Sequence, residues 1–483
     1  MTKTQTIIRY IGILLATAGV IAFSIVGSSF ISDVALAVGV GSLAALLILD
    51  TAVAAPLAVA LLLVFTLPFE RIPSVDIGGI SIRMSQLIAL LGLGILSVKV
   101  IKEKYTFRPY PAALWLVAFF AVAAIGVAQA INLTEGVKSF GFSLFTVLVS
   151  VVMVQFIRST DDLKRVVKIL IPSVILVVLF ALFQTAGDIV GLPLGLTGLK
   201  QGYSKIVLGF PRPQGFSVEP LYLADYLFLP LGAVGALWLG KIKGWNLKLL
   251  GPILVGIILV IVLTVSRGAY LALVPFTLTF IIFYPRRTVS VRAIGSFVIV
   301  MGIVAAGTVG FLSYSRPDAI QKFVEHATVA DLANGESTQG RLMAFQTAYD
   351  AWLTKPVVGI GMGNFGPYVK GYPNPETVPG WDIVNNEYLE ILCETGALGL
   401  AAMAAFVVAI VWRHLRALIR ARDEFVRAIL VGLLATFMAV LTQYNFFSTL
   451  YILPIWGIIG LMVATQNIVL VGDDTTLVTR RAK

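Results

Sequence analysis

Residues 249–284 read LLGPILVGIILVIVLTVSRGAYLALVPFTLTFIIFY. Two apolar runs, 249–266 and 269–284, are each long enough to cross or nearly cross a bilayer. Between them stands Ser266-Arg267-Gly268, so the chain has to turn back sharply at an arginine. An unpaired charge in such a tight connection is costly, which makes Arg267 either an interfacial side chain reaching for water or part of a site. The same reading extended along the chain finds fourteen apolar runs, near residues 7–27, 32–49, 52–68, 84–98, 111–131, 140–157, 169–190, 221–240, 249–266, 269–284, 293–313, 396–412, 428–445 and 450–468. The expected fold is therefore all-α: a polytopic integral membrane protein with about 14 transmembrane helices and one large helical loop. Composition agrees, with 58% hydrophobic and 13% charged residues, against about 25% charged in soluble domains. The first run has Lys3 and Arg9 at its start and Ala16-Thr17-Ala18 in its middle, like a signal peptide. The many later runs favour a retained first span.

The positive-inside rule orients these spans. Of the 36 Lys and Arg residues, 24 fall in the N-terminus, residues 99–110, 158–168, 241–248, 285–292 and 413–427, and the C-terminus. The turn near Asp50, which carries none, falls on the same side. Both termini are thus expected in the cytoplasm of a bacterial inner membrane. The net charge of +11 reads as a topology signal and not as a nucleic-acid surface. On the other side lie two loops of substance, 191–220 and 314–395. The expected division is 1–190 (N-terminal spans), 191–313 (central spans with the shorter loop), 314–395 (large loop) and 396–483 (C-terminal spans).

Several function classes lose ground here. The single cysteine, Cys393, excludes an intrachain disulfide and a cysteine metal cluster. The two histidines, His326 and His414, lie far apart in sequence, which disfavours a histidine metal site. Ionisable residues are scarce within the spans, and the halves show no hydropathy symmetry. Both features count against a pump or ion-coupled transporter.

The long polar stretch, residues 336–400, begins with Ser337-Thr338, good helix N-cap residues. Leu342, Phe345, Tyr349 and Trp352 follow at helical spacing, and Lys355-Pro356 ends the helix. Gly359, Gly361 and Gly363 let the backbone turn tightly or lie close to a ligand. A second helix starts near Asn385 and leads into the span after Gly396. Arg341 falls in the first turn of its helix, where the macrodipole disfavours a cation. An anion between the arginine and the helix N–H groups would explain it; a solvated arginine is the plain alternative. Arg212, Arg267 and Arg341 all stand where loops meet spans on the same side. Together they would suit a strongly anionic group such as a phosphate. The outer loops carry no Asp-x-Asp pair, so no metal is implied.

Arg212, Gly215, Phe216, Ser217, Glu219 and Pro220 form a pattern that resembles a short motif of bacterial polysaccharide polymerases. Ser266 to Tyr270 resembles the Ser-Arg-Gly motif of the O-antigen ligase and polymerase superfamily. Gly340-Arg341, Trp352, Pro356, Gly359, Gly361, Gly363 and Phe365 are similar to that superfamily's large-loop pattern, as are Asn386, Tyr388, Leu389, Leu392, Glu394, Gly396, Gly399 and Leu400. The resemblance implies an inverting, metal- and cofactor-independent glycosyltransferase of the outer leaflet. Its donor would be a glycan on a polyprenyl pyrophosphate, usually undecaprenyl pyrophosphate, and its acceptor a glycan or glycolipid. The arginines would stabilise the pyrophosphate leaving group.

One position departs from the ligase pattern. The resemblance implies His-Asn where this chain has Asn385-Asn386, and that histidine is the ligases' proposed base. Glu219, beside Arg212 and just before a span, is the favoured replacement; a structural partner of Arg212 or Arg267 is its alternative. Glu387 and Glu390 are further candidates. Glu387, Glu390 and Glu394 share one helical face, which reads as a solvated acidic face, with Glu394 anchoring the loop. His326 lies outside the matching motifs. The expected catalytic residues are Glu219, Arg267 and Arg341, with Arg212, Asn385, Asn386, Glu387 and Tyr388 binding substrate. A polymerase of O-antigen or exopolysaccharide, working with a chain-length regulator, is the leading reading. A ligase acting on lipid A core and an oligosaccharyltransferase acting on protein are alternatives. A flippase for an anionic lipid-linked solute is the alternative from another class.

Overall fold

The computed structural model describes residues 55–288, apart from 73, 78–79 and 103–104, together with 336–371, 383–448 and 450–473. The expected spans at 7–27, 32–49 and 293–313, and His326, lie outside the described residues. The other eleven apolar runs are all helical. They are α1 Ala55–Thr66, α2 Met84–Lys102, α3 Ala113–Ala128, α4 Leu133–Phe156, α5 Thr160–Val190, α6 Pro220–Gly240, α7 Leu247–Leu263 and α8 Arg267–Phe283. After these come α9 Glu336–Thr354, α10 Phe365–Lys370, α11 Glu387–Arg420, α12 Glu424–Gln443 and α13 Leu453–Leu470. α9 and α10 are not spans. Among the described residues seven helices are long and apolar enough to cross a membrane, and α1, α3, α7 and α8 are shorter apolar helices. A two-stranded antiparallel hairpin, β1 Ser74–Ile77 and β2 Ile80–Arg83, was not foreseen. It links α1 to α2, and its four-residue strands are too short to show a period in the sequence.

Local chemistry sets the helix ends. Ser159 Oγ accepts from Asp162 N–H while the Asp162 carboxylate accepts from Ser159 N–H, a reciprocal cap that starts α5. Gly191 ends the same helix with φ 85°. Pro220 starts α6, and Asp423 caps α12 through Val426 N–H.

The chain forms two compact units that interleave in sequence. In the first, α1 packs on α2 and α5, and α6 on α5 and α7. In the second, α11 packs on α3, α9, α12 and α13, and α8 on α12. The deepest helix of the first unit is α6; those of the second are α12 and α13. Their apolar residues run all round the helix, as burial on every side requires. His414 belongs to the second unit's interior, where its ring meets Leu430 O and the Gln466 amide.

Candidate active site

The turn between α7 and α8 is as tight as the sequence requires. α7 ends at Leu263 and Arg267 is already the first residue of α8. Val265 sits in that turn with φ 46°, a left-handed conformation costly for a β-branched residue. Gly268 packs so closely on Phe446 that a Cβ there would lie 2.9 Å from that side chain. The geometry therefore fixes Arg267 at the N-terminus of a 17-residue helix. The macrodipole opposes a cation there and would welcome an anion beside it.

Arg341, expected at such a helix start, lies elsewhere. Glu336, Ser337 and Thr338 are already helical, so Arg341 lies beyond the first turn of α9. What distinguishes Arg341 is its company. It is half-buried, and its Nε is buried without a hydrogen-bond partner among the described residues. Burial, and then the Arg267 guanidinium, push its pKa down. Two guanidinium groups thus stand near each other in the second unit, one with an orphaned donor. An orphaned buried N–H costs about 1–3 kcal/mol, and an anion between the arginines would satisfy it.

The remaining elements of the second unit hold this region together. α9 presents Ala344, Ala348 and Ala351 inward, with Phe345 and Trp352 packed partly against them. Leu342 and Tyr349 of the expected stripe stay exposed. The helix ends at Thr354, as Lys355-Pro356 required. Residues 356–361 then pair with the backbone of α11: Ile360 N–H donates to Cys393 O, Gly361 N–H to Glu394 O and Ala397 N–H to Pro356 O, each at 2.9 Å. α11 opens for this at Gly396, which has φ 68°. A Cβ at Gly359 would lie 2.3 Å from the Glu394 backbone, and one at Gly363 2.1 Å from Ser139 Oγ. The alternating glycines thus let protein backbone lie against protein, where a ligand had been one of two options.

Glu394 is the anchor expected of it. Its carboxylate accepts from Gly363 N–H at 2.8 Å and Phe365 N–H at 3.1 Å, at the start of α10. The expectation of a solvated acidic face fails, however. Glu387, Glu390 and Glu394 line one small cavity of about 40 Å³ with Ser139, Ser143 and Tyr451, room for a water or two. Glu387 is only 2% exposed. The helical face is shared, but it faces protein.

Asn385 has φ 60°, a conformation asparagine tolerates better than most residues. Asn386 Oδ1 caps α11 by accepting from Leu389 N–H at 3.1 Å, and its own N–H donates to Ser448 Oγ. Tyr388 donates to Leu441 O at 2.6 Å. Asn386 and Tyr388 therefore have structural work. Asn385 and the buried Glu387 remain the candidates of this segment for meeting a substrate.

Arg212 and Glu219 belong to the first unit, in the loop 191–219 between α5 and α6. Arg212 Nε donates to Thr264 O at 2.9 Å, and its guanidinium lies over the Tyr203 ring at 5.7 Å. Tyr203 bonds the Glu219 carboxylate through its hydroxyl; burial, then Glu219, push its pKa up to about 12. Glu219 stands at the N-cap position of α6 without capping it, and its carboxylate acts on the Tyr203 hydroxyl and the Lys200 ammonium. The loop around it is firmly built. Gln184 Oε1 accepts from Gln214 N–H and Gly215 N–H, and Gln214 Nε2 donates to Val218 O. Phe216 stacks on Phe180 at 4.4 Å and meets Phe69 edge-on at 4.7 Å. Arg71 ties its guanidinium to Gly198 O and Ser217 O.

Gln184, Gln214 and Arg71 were missed in the sequence. The buried glutamines leave no local signal. Arg71 had one, a cation in the short loop at the end of an apolar run.

No curated protein matches the sequence. Residues 252–404 match the Wzy_C family model, whose description is O-antigen ligase. The match takes in Arg267, Arg341 and Asn385 to Tyr388 and leaves Arg212 and Glu219 outside it. Residues 252–404, about a third of the chain, are thus similar to a domain described as O-antigen ligase, in a chain whose described residues include seven helices long and apolar enough to cross a membrane.

Proposed function

We propose that this protein is an inverting membrane glycosyltransferase that takes its glycan from undecaprenyl pyrophosphate. We read it as an O-antigen or exopolysaccharide polymerase of the bacterial inner membrane, with its site on the outer face. The observation that carries this reading is the Arg267–Arg341 pair, with the orphaned Arg341 Nε and the N-terminus of α8 beside it. These donors suit the two phosphates of the leaving group. Charge grows on the bridging oxygen as the glycosidic bond breaks, and fixed cations stabilise it without reorganising.

Glu219 is the proposed base. It would take the proton of the acceptor hydroxyl as that oxygen attacks the anomeric carbon, while Arg212 holds the acceptor and Tyr203 steadies the carboxylate. Asn385 orients a sugar hydroxyl, and Glu387 contributes to substrate binding through the water that its small cavity can hold. No metal is needed where guanidinium groups neutralise the leaving group.

The choice of polymerase over ligase rests on Asn385, which cannot serve as a base, and on the Glu219-Pro220 motif. The test uses purified protein in proteoliposomes with a lipid-linked repeat unit as the only glycan. A ladder of longer lipid-linked glycans is expected. Transfer only when lipid A core is added would make it a ligase, and transfer only to an added protein acceptor an oligosaccharyltransferase.

A further inference from the structure

α9 is inside out for a helix in water. Its buried side is made of small residues, Ala344, Ala348 and Ala351, while Leu342, Tyr349 and Leu353 stand away from the protein with about half of their surface open. These three are seven and four residues apart, close to two turns and one turn, so they form a single stripe opposite the alanines. Gln346 is the polar residue on that stripe, and its Nε2 donates to Asp350 Oδ1 on the flank at 3.1 Å. The Tyr349 ring meets that of Trp352 at 5.4 Å, and the Trp352 indole N–H donates to Pro356 O at 3.0 Å. A water-facing helix has the opposite arrangement, with large apolar residues inward and charged ones outward.

The place where α9 ends says what covers the stripe. Val357, exposed just past the helix, accepts from Leu398 N–H at 3.2 Å. Leu398 is exposed in turn and belongs to the part of α11 beyond Gly396 that reads as a span, so its outward side is turned to lipid. The next carbonyl, Val358 O, lies against Gly126 in the last turn of α3, where a Cβ would come within 2.8 Å. Lys355 Nζ donates to Gln129 O at 2.6 Å, the residue that caps the C-terminus of α3. The C-terminal end of α9 is therefore held at the level where α3 and the span of α11 end. Its stripe runs on through Val357 into the lipid-facing side of α11, and the occupant continuous with that side is the bilayer.

We propose that α9 lies along the membrane surface, with Leu342, Tyr349, Leu353 and Val357 sunk into the lipid and its alanine face against the protein. Interfacial helices bury their apolar face by about 5–10 Å, and aromatic rings such as those of Tyr349 and Trp352 favour that layer. The placement has a consequence for Arg341, which rests on the pyrophosphate reading of the Arg267–Arg341 pair. Arg341 stands 12 residues before Leu353, about 18 Å along the helix. A helix standing up from the membrane would lift it that far from the headgroups. A helix lying flat holds it at their depth, beside the phosphates of a lipid-linked donor.

The test reconstitutes full-length protein, with Cys393 replaced, into phosphatidylcholine–phosphatidylglycerol nanodiscs. A nitroxide is attached to single cysteines at Leu342, Tyr349, Leu353 and Thr354. Collisions with oxygen, which concentrates in lipid, are compared with collisions with a water-soluble nickel chelate. Labels at 342, 349 and 353 should prefer oxygen, at a common depth of about 5–10 Å. The label at Thr354, exposed on the flank of the stripe, should prefer the chelate. Thermal transitions should match that of the unlabelled protein, because all four side chains are exposed. Lipid contact at 353 without lipid contact at 342 would mean a standing helix and overturn the proposal, as would preference for the chelate at all positions. Shielding of the stripe from both reagents would also overturn it, since protein, a second copy or another segment of this chain, would then be the occupant. The labels report position whether or not glycan is transferred. Loss of the pyrophosphate reading would leave a flat helix standing as a finding, and a standing helix would leave the arginine pair to be judged by its own variants.

Discussion

Asn385 and Glu219 carry the question of the base at the level of single residues. Asn385 stands where the resemblance implies a histidine, and its left-handed backbone is tolerable for asparagine and histidine alike. Glu219→Gln keeps the size of the side chain and its bond to Tyr203 but cannot take a proton. Transfer should fall by about 10²–10⁴-fold with donor binding intact, and Asn385→Ala should cost less. Asn385→His in the Glu219→Gln background should recover part of the rate if an imidazole there reaches the acceptor. Steady-state rates with lipid-linked donor decide this; near-normal turnover of Glu219→Gln would make the residue structural and turn attention to Glu387 and Glu390. The motif arginines were legible in the sequence because a charge in a tight loop between apolar runs has few reasons to be there. The burial of Glu387 and Glu390 was not. A helical wheel shows which face they share, and only the packed neighbours Ser139, Ser143 and Tyr451 show that the face is covered.

Elements were easier to read than their contacts. Each apolar run within the described residues became a helix, since a span has to satisfy its backbone internally. The hairpin Ser74–Ile77 with Ile80–Arg83 escaped notice because its strands are shorter than any reliable period. The glycines at 359, 361 and 363 were seen, but their partner, the opened backbone of α11, depends on contacts between segments some 35 residues apart. Gly359 needs φ 72° and has no room for a Cβ beside Glu394. Gly359→Ala should therefore cost about 1–3 kcal/mol from the backbone alone and more from the clash. Gly195 has nothing within 4 Å of its would-be Cβ, so Gly195→Ala should change stability by about 0.5 kcal/mol or less. Thermal unfolding in detergent separates the two. Equal transitions would mean that the pairing of residues 356–361 with α11 does not stabilise the fold.

The whole molecule was read from charge as well as hydropathy. The positive-inside distribution predicts that the large loop faces away from the cytoplasm. Single cysteines at Ser337 and Asp161, with Cys393 replaced, test that side assignment. Asp161 is exposed, whereas neighbouring Ser159 is a buried cap and unsuitable. An impermeant thiol reagent should label position 337 in whole cells and spare 161; the reverse pattern would put the site on the wrong face for an outer-leaflet donor. What sequence could not supply is the meeting of α8 and α9 residues within one unit, because Arg267 and Arg341 are separated by a long stretch of chain. Their cooperation on one pyrophosphate is the centre of the account. The most direct measurement is single-turnover glycan transfer from lipid pyrophosphate-linked donor by purified wild type, Arg267→Ala, Arg341→Ala, Arg341→Lys and the double alanine variant. Each alanine should lower the rate by about 10²–10³-fold. Lysine should rescue poorly, since a point charge lacks the guanidinium fork, and the double variant should fall by less than the product of the singles because the two residues serve one group. Wild-type transfer by the double variant would contradict the account.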